Sequence, residues 1–240
     1  MTPFTSFFTP IIEHPLFWLT TTLVIFQAAQ WLYVKARAFP LLNPVFTSIV
    51  TLAVFVTITD TPYSTYFAAN QLIHVLLGPA TVALAAPLYK QLATLRATAL
   101  PIVLALGVGA VTGIVSAVVL ARVFSLSQAT ILSLAPKSIT TPIAMGIAEQ
   151  IGGSPTLTAA LVITTGIVGA VCGLPLLRLV GIQDDATKGF AIGLAAHGIG
   201  TARALQASDQ AGAFAGLAMG LNGVLTALLV PMALYWLGIG

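Results

Sequence analysis

The chain has 240 residues, 58% hydrophobic and only 6% charged, with nine Lys and Arg against six Asp and Glu and a formal net charge of +3. A soluble domain carries about 25% charged residues because its surface must be hydrated, so this composition excludes a water-exposed globule and puts most of the surface in lipid. The small cationic excess has no basic cluster or aromatic platform with it, which argues against a nucleic-acid partner, and one cysteine, Cys172, excludes an intrachain disulfide or a cysteine-based zinc site.

A spanning helix needs about 20 largely apolar residues, and open sheet edges are not viable in hydrocarbon. Alternating barrel strands are absent, so the sequence predicts an all-α polytopic membrane protein forming a single integral membrane domain over residues 1–240. No Lys or Arg precedes the first apolar stretch, so a cleaved signal peptide is not expected. Spans are predicted over roughly 16–34, 41–58, 71–89, 98–121, 157–180 and 211–238. Two further regions, roughly 128–151 and 186–207, are apolar but repeatedly interrupted. Counting each as one broken span or one re-entrant pair gives about eight crossings. Residues 16–70 read as scaffold-like helices, and 71–238 as a transport core built on a repeat.

Lys35 and Arg37 follow the first span and Lys90 and Arg96 the third, whereas Asp60, between the second and third, has no cation near it. The positive-inside rule puts both pairs in the cytoplasm and the amino terminus outside. Arg122, Arg178 and Lys188 fit the rule less well. Near the second predicted span, "FPLLNP" places Asn43 and Pro44 at its entry, where Asn43 either shapes the helix start or reaches a cavity.

Glycine pairs at helical spacing (Gly109/Gly113, Gly169/Gly173, Gly189/Gly193, Gly212/Gly216/Gly220) let backbones approach where lipid supplies no hydrophobic drive between helices. "GPATVALAAP" (Gly78–Pro87) and "APKSITTPIA" (Ala135–Ala144) are both proline-interrupted, displaced by about 56–57 residues, and each precedes a glycine-containing span ending near Arg122 or Arg178. Matched interruptions of this kind point to transporter repeats with a midplane binding site.

In "APKSITTPIAMG" (Ala135–Gly146), Pro136 and Pro142 lack amide donors and clash with a continuing helix. Backbone freed in hydrocarbon is tolerated only where protein or a water-filled cavity satisfies it. Ser138, Thr140 and Thr141 can cap free amides or bond a ligand. Lys137 adds a cation that insertion scales put at roughly 2.5–3.5 kcal/mol near the bilayer centre. Helix-end amides beside a lysine favour an anion; the structural alternative is a lysine snorkelling to the interface at an ordinary loop.

A second constellation is "GLAAHGIGTARAL" (Gly193–Leu205), where His197, Thr201 and Arg203 cluster at a glycine-loosened backbone. Arg203 can bond a carboxylate bidentately and His197 can change protonation near neutral pH. Glu149 and Asn222, with Asn43, are candidates for coupling or for the pathway. Asp184, Asp185 and Asp209 read as solvated loop charges. "GVGAVTG" (Gly107–Gly113) lacks the third glycine of a dinucleotide loop and follows no strand, and no hydrolase, zincin or Walker signature occurs, so no enzyme and no cofactor are expected.

At "PKSITTPIA" and "AHGIGTA" the chain resembles the LrgB/CidB family of bacterial membrane proteins; "FPLLNP" and "PLYKQLATLR" are similar too, and the likeness covers roughly residues 16–238. Some relatives carry Ser where this chain has Ala196. The resemblance implies two functions. Bacterial members were named antiholin-like modulators of murein hydrolase activity and autolysis, working with a small LrgA/CidA-type membrane partner. Plastid relatives translocate glycolate and glycerate, and some bacterial members are linked to uptake of pyruvate or similar short acids. It also carries Lys137, Ser138, Thr140, Thr141, His197, Thr201 and Arg203 over as substrate-binding candidates.

The expectation is a carrier of small 2-hydroxy or 2-oxo monocarboxylates in the bacterial inner membrane, working by alternating access. Lys137 and Arg203 would hold the carboxylate, and His197 or Glu149 a coupled proton. A homodimer is the expected assembly, since moving cores often need a fixed scaffold. The alternative is an antiholin-like pore or regulator.

Overall fold

The computed structural model describes residues 14–36, 39, 42–83, 85–236 and 238. Glu13, Arg37 and the first residue of the predicted 41–58 span lie outside them. Every regular element among the described residues is helical, as the lipid argument requires. The helices form two compact units that divide after Ala83.

The first unit holds α1 (Pro15–Lys35), α2 (Pro44–Ile58), α3 (Tyr63–Ala69) and α4 (Gln71–Ala83). Side chains and prolines set the first two starts. His14 accepts the Leu16 amide ahead of Pro15, and Asn43 Oδ1 accepts the Val45 and Phe46 amides ahead of Pro44, which fits proline to the position where no amide is needed. Trp18, fully buried, packs α1 on α2 and α3 through ring contacts to Phe55 and Tyr66.

The second unit begins with the short α5 (Ala85–Lys90) and α6 (Leu92–Ala97). Its frame is three helices long and apolar enough to cross a membrane: α7 (Ala99–Val123), α10 (Pro155–Leu179) and α12 (Asp209–Trp236). Twenty-five residues, the length of α7 and of α10, reach about 37 Å at 1.5 Å per residue, enough for a hydrocarbon layer of about 30 Å.

Between these long helices the chain twice turns back on itself. After α7 come α8 (Gln128–Leu134), a non-helical stretch, and α9 (Thr141–Gln150). Ser133, near the end of α8, accepts the amide of Ser154 through its hydroxyl at 2.8 Å and the Thr158 hydroxyl through its carbonyl at 3.0 Å. Only a chain that reverses in between brings those residues together, so α8 and α9 are the arms of a hairpin whose base lies where α7 ends and α10 begins. Its turn extends to mid-span: a methyl group on Gly113, near the middle of α7, would stand 3.6 Å from Ser138 Oγ.

The second reversal is α11 (Asp185–Ala207), whose helical backbone breaks at Ala196 (φ −127°, ψ 15°) and His197 (φ 42°, ψ −136°). A straight helix would hold Ile192 and Gly200 about 12 Å apart. Here a Cβ on Gly200 would lie 2.9 Å from Ile192 Cγ2 and 3.0 Å from its carbonyl oxygen. The two ends also come together, with Ser208 near enough to the Asp185 carboxylate to help hold it below the usual range. α11 is therefore a second hairpin. Its first arm lies along α10, Gly173 facing Ile192 and Gly169 facing Ala196, and parallel to α12, with Gly189 and Gly193 against the backbone of Ala211 and Ala215.

Each hairpin has its own apolar core. Ile131, Leu132 and Ile139 of the first pack with Val118 of α7, Val162 of α10 and Val230 of α12, while Ile192 and Ala204 of the second pack with Leu174 of α10 and Ala211 and Ala215 of α12. The first core uses the start of α10 and the end of α12, the second the end of α10 and the start of α12, so the hairpins enter from opposite ends of the bundle. The described residues of the segment Gly78–Pro87, aligned by sequence with Ala135–Ala144, belong to α4 and α5.

Candidate functional site

The two turns meet against the same short stretches of α10 and α12. Val162 packs with Ala135 and Ile139 of the first turn and accepts a 2.9 Å hydrogen bond from His197 Nε2 of the second. On α12, Met219 lies beside Gly198 and Thr201, and Ile143 of α9 faces Gly223.

At the first turn, Pro136 is buried, the Lys137 amide closes on Leu134 O, and the Ile139 amide on Pro136 O. Thr140 occupies the N-cap position of α9 with extended backbone, but its side chain makes no capping bond, and Pro142 follows directly. The amides opening α9 thus have no side-chain acceptor among the described residues at the positive end of the helix. Lys137 is half-buried beside them, its Nζ donating to Ser138 Oγ at 3.5 Å.

At the second turn, His197 is 3% exposed and has a positive φ that non-glycine residues seldom adopt. Such strain costs of order 1–3 kcal/mol and persists only where the surroundings over-determine it. Side chains hold it on several sides. The Val162 carbonyl takes Nε2–H, and Thr201 Oγ1 donates to His197 O at 2.8 Å. Asn222 Nδ2 donates to Leu194 O at 2.9 Å, a carbonyl next to the break, while Thr226 donates to Asn222 Oδ1 at 3.1 Å. Gly166 leaves room for the ring: a Cβ there would stand 2.8 Å from His197 Cε1 and 2.9 Å from Nε2.

Of the residues singled out by sequence, Lys137, Ser138, Thr140 and Thr141 lie at the first turn, and His197, Thr201 and Asn222 at the second. Arg203 sits half-buried on the returning arm of α11, beyond Thr201. Glu149 is exposed at the end of α9, far along the helix from Lys137. Asn43, 1% exposed, caps α2 in the first unit.

Sequence reasoning missed several supports. Lys188 is 7% exposed and fastens the base of the second hairpin, donating to Gln183 O and pairing with Asp185 at 3.3 Å. Asp184, read as a solvated charge, caps α11 by accepting from the Thr187 hydroxyl and amide, and those bonds hold its carboxyl below the usual range. The string "DDATK" carried the signal, a capping aspartate followed by an i,i+3 ion pair. Ser133 and Thr158, which close the first hairpin, carried none.

A model of the LrgB-like family matches residues 22–236. The chain is 34% identical over 218 residues to YwbG of Bacillus subtilis (strain 168), covering 90% of this chain and 96% of that protein, whose printed description is "Uncharacterized protein". It is 30% identical over 224 residues to "Antiholin-like protein LrgB" of Bacillus mycoides (strain KBAB4), covering 93% and 97%, and equally so to the protein of that name in Bacillus cereus (strain B4264). No solved structure matches.

Proposed function

Since this chain belongs to the LrgB-like family, we propose that it is a carrier of small organic anions in the bacterial inner membrane, taking 2-hydroxy or 2-oxo monocarboxylates of the glycolate, glycerate and pyruvate kind. One observation carries the reading: two helical hairpins from opposite ends of the bundle bring their turns together at Val162, which packs with Ala135 and Ile139 of the first turn, where Lys137 lies, and bonds His197 of the second. Broken helices meeting at mid-span are how carriers expose helix-end amides to an anion while keeping irregular backbone out of lipid.

In this reading α7 with the first hairpin and α10 with the second form an inverted-topology repeat. It is supported by the equal lengths of α7 and α10, by their opposite directions, and by an offset close to that found in the sequence. The hairpins are re-entrant pairs rather than broken crossings. Lys137 neutralises the carboxylate, Ser138, Thr140 and Thr141 with the amides opening α9 bond its oxygens, Thr201 and Asn222 hold the second turn in place, and Arg203 guards the approach along the returning arm. Alternating access would move the hairpin core against a fixed scaffold, for which a homodimer is the expected assembly.

A second reading, an antiholin-like pore or regulator of murein hydrolases acting with an LrgA/CidA-type partner, is favoured by the printed name of the Bacillus mycoides and Bacillus cereus relatives. Purified protein in liposomes separates the two. A carrier gives saturable uptake of labelled lactate or pyruvate, competition among short acids, and loss of uptake in Lys137→Gln. A pore gives solute-tolerant leakage that Lys137→Gln barely changes. Uptake that returns only when the LrgA-type protein is added would make this chain one part of a two-component carrier.

A further inference from the structure

We infer that Nδ1 of His197 accepts a hydrogen bond from a donor that the carried anion bears next to its carboxylate, so that the site selects 2-hydroxy acids over 2-oxo acids of the same skeleton. This rests on the carrier reading above and deepens it.

The argument begins with the ring's tautomer. A backbone carbonyl can only accept, so the 2.9 Å contact between His197 Nε2 and Val162 O requires the proton on Nε2. In the neutral imidazole Nδ1 is then a bare acceptor. It makes no hydrogen bond to any described residue. This open acceptor lies where the two turns meet.

The ring is also held from turning. Gly166 leaves space for it without slack, the Val162 bond fixes one nitrogen, and the strained backbone at His197 aims the whole side chain. Such strain at a single residue is a feature of ligand clamps. Of the charged groups around it, the first turn contributes Lys137; α10 contributes none near Val162 and Gly166, and α12 none near Met219 and Asn222. The meeting turns thus carry a cation for a carboxylate on one side, Lys137, and an acceptor on the other, His197 Nδ1. A 2-hydroxyl donates to that acceptor, whereas a 2-oxo group sets one lone pair against another.

Competition against labelled substrate in proteoliposomes tests this with pyruvate and the two enantiomers of lactate. In the wild type the better lactate enantiomer should compete about 5- to 10-fold more strongly than pyruvate, the size of one neutral hydrogen bond. His197→Gln puts an amide donor where Nε2 was and nothing where Nδ1 was, and should bring the ratio to within about 2-fold. His197→Asn, whose Oδ1 falls near the Nδ1 position, should keep most of the preference. Pyruvate competing as well as both lactates in the wild type, or a ratio untouched in His197→Gln, overturns the inference while leaving the carrier reading intact. Absence of uptake for every acid, with the LrgA-type protein present as well as without it, overturns both.

Discussion

Gly193 and Gly198 stand on the two sides of the same hairpin turn and differ in what a side chain would meet. A Cβ on Gly193 would run into the carbonyl of Ala215, backbone that cannot swing aside, whereas one on Gly198 would come no nearer than 3.8 Å to Met219 Sδ. Gly193→Ala should therefore push α11 off α12 and destabilise the protein by at least the 1–3 kcal/mol typical of overpacking. Gly198→Ala should be nearly neutral. Thermal unfolding in detergent, followed by loss of the monodisperse peak, measures both; equal midpoints would mean that the first arm and α12 are not in backbone contact. The Gly189/Gly193 stripe was legible in the sequence as close packing, because small residues spaced by four have little other use in lipid. Gly166 was not, since its partner is an imidazole 31 positions further along rather than a helix face at regular spacing, and only the fold brings them together.

At the scale of elements, prolines, glycines and hydroxyl residues announced both breaks, and α1, α7, α10 and α12 follow their predicted runs to within a few residues, whereas the predicted 71–89 span is divided between α4 and α5. What the sequence did not carry was the direction taken after each break. Pro136 and Pro142 end a helix whether the chain then continues or returns, and the return is decided by Ser133 with Ser154 and Thr158, and by Ile192 with Gly200. The base of the second hairpin makes a testable case. Hydrogen bonds from Thr187 hold the Asp184 carboxyl below the ordinary value of about 3.9. A carboxyl so depressed contributes stability that is fully present above its unfolded value and is lost as the pH falls through its folded one. Amide exchange at Thr187 and Lys188, corrected for intrinsic rate, should show full protection at neutral pH and a loss below about pH 4. Asp184→Asn caps without titrating and should flatten that dependence, while Asp184→Ala should lose about 1 kcal/mol of local stability at neutral pH. Protection in the wild type that does not change with pH would remove Asp184 from this role.

For the whole molecule the question is which hairpin faces which side of the membrane. α7 ends and α10 begins at the base of the first hairpin; α10 ends and α12 begins at the base of the second. Arg122 lies at the first base, where it donates to Gly238 O, whereas Arg178 and Lys188 lie at the second, the side on which Arg96 precedes α7. Of the three cations that fitted poorly when each interrupted region could be a crossing, Arg178 and Lys188 therefore share a side with Arg96 once the hairpins return to the side they came from, and Arg122 alone of the three lies opposite. The positive-inside rule puts the second base in the cytoplasm and the first outside. In a Cys172→Ser background, Ser127→Cys should react with a membrane-impermeant maleimide in right-side-out vesicles, and Ser208→Cys only in inverted ones. Reaction of both from one side would mean that one region crosses the bilayer after all. The two turns could not then be approached from opposite faces, and the inverted repeat, with the alternating access built on it, would have no structural basis.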